Sequence, residues 1–185
     1  MNHRLHLKFE QLDRATARLL ASADALGADA TRAPAAGQWS AAQVVHHLLY
    51  IEGNIVRYVE KKLAAAEALP KVGLLTRLRA RVVRLLLRLP GFKYKAPRGV
   101  ATATDAGNLP PLPELRATWE ASRRQLERLL NSFPSQQLNR AIFPHPRSGN
   151  ITIYQVMEFL LDHVLHHQQQ LGRITKALRP GQMAA

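Results

Sequence analysis

Residues 151–178, "ITIYQVMEFLLDHVLHHQQQLGRITKAL", decide the fold class. At ~100° per residue, Ile153, Val156, Leu160, Val164, Leu171, Ile174 and Leu178 fall in one narrow sector, the period of a helix and not of a strand. Thr152 followed by Gln155 is a capping-box pattern that starts it, and the helix ends near Leu178, before Pro180 and Gly181. The same stretch carries three histidines of a chain that has eight. His167 lies inside the apolar sector and His163 at its edge, while His166 sits on the flank and is expected to point toward the rim. Three readings compete for them: a metal site, a catalytic histidine, or imidazoles that fill a core. An H-x-x-x-H spacing puts two imidazoles on one helix face, as metal binding requires, yet it also arises by chance.

Outward from this helix, the rest of the chain repeats its pattern. Residues 3–26 carry a stripe of Leu5, Phe9, Leu12, Leu19, Ala23 and Leu26, broken by Pro34 and Gly37. Ser40 and Gln43 form a second capping-box pattern, and the second helix is expected to run to about Leu69, before Pro70, on Val44, Leu48, Ile51, Ile55 and Val59. Residues 71–89 read as a shorter helix, followed by a long loop over 91–113. A third long helix opens near Pro113 with Leu115, Trp119, Leu126, Leu129 and Phe133. No strand-like alternation of useful length is visible. The expectation is an all-α fold: an antiparallel four-helix bundle over residues 1–185 as one domain, with an extra basic amphipathic helix and a long loop between its second and third main helices.

The composition narrows the chemistry. Of 185 residues 46% are hydrophobic, enough for one domain with a core. There is no cysteine, which excludes a disulfide framework, a thiolate zinc site and a cysteine nucleophile, and fits a reducing compartment. The polar N-terminus is no signal peptide, and no apolar run reaches the ~18–20 residues of a membrane-spanning helix. A soluble, cytoplasmic protein is expected.

On the second helix His47 falls at the border of the core sector, His46 nearly opposite, and Glu52 inside it, unusual for a carboxylate. His47, His163 and His167 therefore converge if the two helices pack, although a lone core-facing histidine is commonly a hydrogen-bonded filler.

Two blocks carry a family resemblance. "QWSAAQVVHHLLYIE" resembles the tryptophan–serine helix start and following histidine of DinB-like proteins, and "HPRSGNITIYQVMEFLLDHVLHHQQQLGRI" is similar to their last helix. The resemblance implies an antiparallel four-helix bundle in which three histidines, here His47, His163 and His167, bind one divalent metal. His46 and His166 are not carried over. It also implies metal-dependent chemistry on a small-molecule substrate, as a thiol S-transferase or a hydrolase. Any thiol would come from a low-molecular-weight cosubstrate such as bacillithiol or mycothiol, since the chain has none. Zinc, nickel, iron and manganese all suit imidazole ligands. Three imidazoles leave a coordination position open, as catalytic sites do. Gln170 or Glu52 is a candidate to orient a ligand histidine, against the plainer readings of a rim glutamine and a buried hydrogen-bonded carboxylate. His145 reads as a loop residue. The alternative is a non-catalytic binding module.

The basic stretch departs from the family pattern. The net charge is +13, and Lys71, Arg77, Arg79, Arg81, Arg84, Arg88, Lys93, Lys95 and Arg98 fall in a segment without an acidic residue. Arg77, Arg81, Arg84 and Arg88 form one stripe; Leu74, Leu75, Leu78, Val82, Leu85, Leu86 and Leu89 cover a broad opposite face. The first expectation is that the leucines dock on the bundle and the arginines face water. An anionic membrane surface comes next, then nucleic acid, for which no reading motif is present; steering of an anionic substrate is a further option. The surplus apolar face also suggests a homodimer, with the arginines outward.

Overall fold

Capping decides where the long helices begin. In the computed structural model, which describes residues 1–65, 68–89 and 109–179, both capping boxes form completely. The Ser40 hydroxyl accepts the Gln43 N–H while the Gln43 amide oxygen accepts the Ser40 N–H, and Thr152 and Gln155 do the same. Each box satisfies two backbone donors that a helix start leaves open. Asn2 caps the first helix by accepting the Arg4 N–H, and Pro111 immediately precedes the helix that starts at Leu112.

The described residues are mostly helical: α1 (His3–Asp24), α2 (Ala41–Ala64), α3 (Leu74–Arg88), α4 (Leu112–Asn131) and α5 (Ile153–Leu178). The most extensive packing is α1 on α5 and α2 on α4, with α2 also meeting α5. Their stripes merge in one core that includes Leu12, Leu19, Leu48, Ile55, Trp119, Leu126, Leu160 and Leu171. No helix among the described residues is long and apolar enough to cross a membrane.

Three boundaries differ from expectation. α2 stops at Ala64 and not near Leu69. Leu69 turns into the core, the Pro70 carbonyl accepts the Ala141 N–H, and Lys71 bridges Arg140, so the backbone there is committed to another partner. The segment before α5, read as a mere breaker, forms a hairpin: β1 (Phe143–His145) pairs antiparallel with β2 (Gly149–Ile151). Gly149 sits at φ 80°, the left-handed conformation that closes a three-residue hairpin loop. Strands of three residues are too short to show alternation. Phe133 lies beyond the end of α4 but still in the core.

The largest correction concerns α3. It docks on α5 through Ala80, Val83 and Leu87, while Leu74, Leu75, Leu78, Val82, Leu85 and Leu89 face outward. Of the four stripe arginines, Arg84 and Arg88 reach toward α5 instead, whereas Arg77 and Arg81 stay exposed. Arg84 bonds Asp162 (2.8 Å) and Glu158 (2.6 Å), and Arg88 bonds Asp162 at 2.8 Å. Asp162 is fully buried, and an uncompensated buried carboxylate is destabilising by about 3–5 kcal/mol. These ion pairs fix which face of α3 meets α5, and the sequence of α3 alone cannot reveal them. Lys93, Lys95 and Arg98, and most of the expected long loop, lie outside the described residues.

Candidate metal centre

α2 brings His47, and α5 brings His163 and His167, to one point. The Nε2 atoms of His47 and His163 are 3.3 Å apart, and those of His163 and His167 are 3.1 Å apart. One ligating atom from each of the three residues lies within 4.8 Å of the others, all of them buried, and this is a set that could hold a metal ion. Bonds of about 2.0–2.1 Å to a tetrahedral cation place ligand nitrogens about 3.3 Å apart, so the spacing fits one.

The electrostatics fit as well. Burial pushes His47 down to about 4 and His167 to about 3, and it holds His163 well below the ordinary histidine range, with the neighbouring imidazoles adding to each shift. All three are neutral at pH 7, the form that offers a lone pair to a cation. The Nδ1 of His167 lies 2.7 Å from the Gln170 amide oxygen, which can only accept. His167 therefore carries its proton on Nδ1 and turns a bare Nε2 inward. Such a partner fixes both tautomer and ring orientation in metal sites. The Nδ1 of His47 is buried with no such partner among the described residues.

Aromatic walls close the site. Trp39 packs on His47 with ring centroids 5.0 Å apart and lies nearly parallel to His167 at 6.3 Å. Phe159 stacks on His163 at 5.2 Å, and His145 meets Phe159 edge-on at 4.6 Å. His145 is more than a loop residue: it sits in β1, is buried, and its Nδ1 accepts the backbone N–H groups of Arg147 and Ser148. The loop is thereby folded around its ring. His47 and His167 are 5% and 7% exposed, and His163 is of intermediate exposure as a residue while its ligating nitrogen is buried.

The other candidates fall elsewhere. His46 is only partly buried. His166 is not at the rim but buried beneath α3, its Nδ1 3.1 Å from the Leu87 carbonyl. Glu52 binds Arg123 at 2.9 Å, and the same Nη2 reaches the Thr16 hydroxyl at 2.8 Å, so the carboxylate is paired with a guanidinium and not with a ligand histidine. Burial pushes the Glu52 carboxyl up against the pull of Arg123. Phe159 was not singled out by sequence, and Trp39 was read only as part of the tryptophan–serine helix start, not as a wall of the site. Trp39 precedes the Ser40 cap and Phe159 is four residues before His163, but neither position distinguishes a site wall from ordinary core.

Residues 11–171 match the family model of the DinB superfamily. No curated protein and no solved structure matches the chain.

Proposed function

Because the chain belongs to the DinB superfamily, we propose that it is a metal-dependent enzyme, a thiol S-transferase or hydrolase acting on a small-molecule substrate. His47, His163 and His167 are the metal ligands, on a single domain built as an antiparallel four-helix bundle. One observation carries the reading: three neutral imidazoles direct Nε2 atoms at a common point, one of them fixed in tautomer by Gln170. A divalent cation bound there would act as a Lewis acid and lower the pKa of a thiol or water.

The chain's own residues do the rest. Trp39 and Phe159 shield the imidazoles and keep the site dry, which strengthens every interaction inside it. No cysteine exists to act as nucleophile, so a thiol enters as a cosubstrate. Glu52 is tied to Arg123 and is not available as a base.

The test is metal analysis of untagged protein after reconstitution with zinc, nickel, iron or manganese, followed by assays with bacillithiol, mycothiol or glutathione and a panel of electrophiles. One metal per chain is expected, with thiol- or water-dependent turnover lost in His163→Ala. Protein that retains no stoichiometric metal, or metal-loaded protein inert toward every pair, would overturn the reading.

A further inference from the structure

The orientation of α3 is the feature that the metal centre leaves unexplained. Its docked side is Ala80, Val83 and Leu87, and diametrically opposite lie Leu74, Leu78, Val82, Leu85 and Leu89, with Leu75 at their edge. Leu74 is 82% exposed and Leu85 63%. Elsewhere among the described residues the large exposed apolar side chains are only Leu7 and Tyr58. The apolar surface is thus concentrated on one straight strip of ~22 Å, the length of a 15-residue helix.

Charge surrounds this strip. On one flank Arg77 and Arg81 have no acidic partner among the described residues, unlike Arg84 and Arg88, which are held by Glu158 and Asp162. Arg77, Arg81 and Arg84 line a half-open cleft of about 430 Å³ with Arg4 and Tyr154, whose one carboxylate is Glu158. Arg79 lies on the other flank. The sequence from 71 to 98 has no acidic residue, and Lys93, Lys95 and Arg98 follow α3.

We propose that α3 is a membrane-docking helix: its leucines enter the acyl boundary of an anionic bilayer while Arg77, Arg79 and Arg81 meet lipid phosphates. An apolar strip edged by guanidiniums on both sides is the arrangement of an interfacial helix, in which long basic side chains reach up to the headgroups. A second copy of the chain fits less well. A two-fold contact through this strip sets its arginine flanks near their own images, and the strip offers no acidic residue to answer them. The anionic leaflet supplies the missing countercharge.

The experiment is sedimentation of the full chain with vesicles of zwitterionic lipid, with and without about a third of anionic lipid. Wild type should bind the anionic vesicles, weaken as salt rises, and bind neutral vesicles poorly. Leu78→Glu/Leu85→Glu should lower partitioning by an order of magnitude or more at unchanged helix content, since both positions are exposed. Arg77→Glu/Arg81→Glu should lose the preference for anionic lipid. In Leu85→Trp, the new fluorescence should shift to the blue on vesicle addition. Wild type that stays in the supernatant overturns the proposal, as does equal binding by the leucine double variant. A dimer in light scattering that Leu78→Glu/Leu85→Glu dissolves, with no vesicle binding, assigns the strip to a second copy instead.

Discussion

The Gln170 amide oxygen lies 2.7 Å from Nδ1 of His167 and so decides which nitrogen of that ring faces His163. Gln170→Ala removes the acceptor and frees the ring to flip and to change tautomer. Metal affinity should fall 10–100-fold, as for outer partners of ligand histidines generally. Gln170→Glu keeps an acceptor and should retain affinity. Chelator competition measures both, and equal losses would mean that residue 170 acts through packing alone.

The proposed ligands should show a sharper contrast. His47→Ala, His163→Ala and His167→Ala each delete one of three donors, and affinity should drop by orders of magnitude. His46→Ala, whose ring is no member of the cluster, should change it little. Titration calorimetry on the four variants checks this, and a loss in His46→Ala equal to the others would refute the assigned triad.

Acid should unfold the metal-free protein early. His47 and His145 are pushed down to about 4 and His167 to about 3, from an ordinary 6.5, chiefly by burial. Below 6.5 the unfolded chain takes up protons that the folded chain refuses, so stability is full above 6.5 and falls as the pH drops toward 4. Each such imidazole contributes on the order of 3 kcal/mol over the window. Urea melts from pH 7.5 to pH 4 should show a steadily falling midpoint, and added metal should deepen the dependence. A flat profile would contradict the neutral, buried imidazoles.

How much of this was legible beforehand differs from element to element. The capping pairs Ser40/Gln43 and Thr152/Gln155 announced two helix starts, because a cap is a local interaction between residues three apart. The phases of α2 and α5 were enough to bring His47, His163 and His167 to one side. The orientation of α3 was not legible, because it depends on Asp162 and Glu158, more than 70 residues away and invisible to a helical wheel. His166 was misplaced for the same reason: the sector facing α3 counts as solvent until α3 is set upon it.

The Glu52–Arg123 pair should behave as a buried ion pair. Glu52 is 2% exposed and Arg123 7%. Arg123→Met leaves the carboxylate without its cation and should destabilise by about 3–5 kcal/mol, whereas the double change to Glu52→Gln/Arg123→Met should recover much of that. A double-mutant cycle in urea reads the coupling. Additive losses would show that the two side chains act independently.

His166 ties α3 to α5. The Leu87 carbonyl belongs to the last turn of α3, where no helical N–H remains to bond it. The His166 Nδ1 is 3.1 Å from that oxygen, and only a protonated Nδ1 can bond it, so His166 donates and acts as a C-terminal cap from the neighbouring helix. Next to it, Arg84 and Arg88 anchor the same helix to Asp162. His166→Ala deletes the cap and leaves a buried carbonyl open, and should destabilise by about 1–3 kcal/mol. Hydrogen exchange should quicken over α3 and stay slow over α1, α2 and α4, because α3 packs on α5 and the hairpin rather than on those three helices. The three imidazoles of the candidate metal centre are untouched, so chelator-resistant metal should remain. His166→Asn offers a donor amide in the same region and should restore part of the protection. If His166→Ala instead strips the metal and leaves α3 exchange unchanged, the imidazole serves the metal centre and the helix is held by its ion pairs alone.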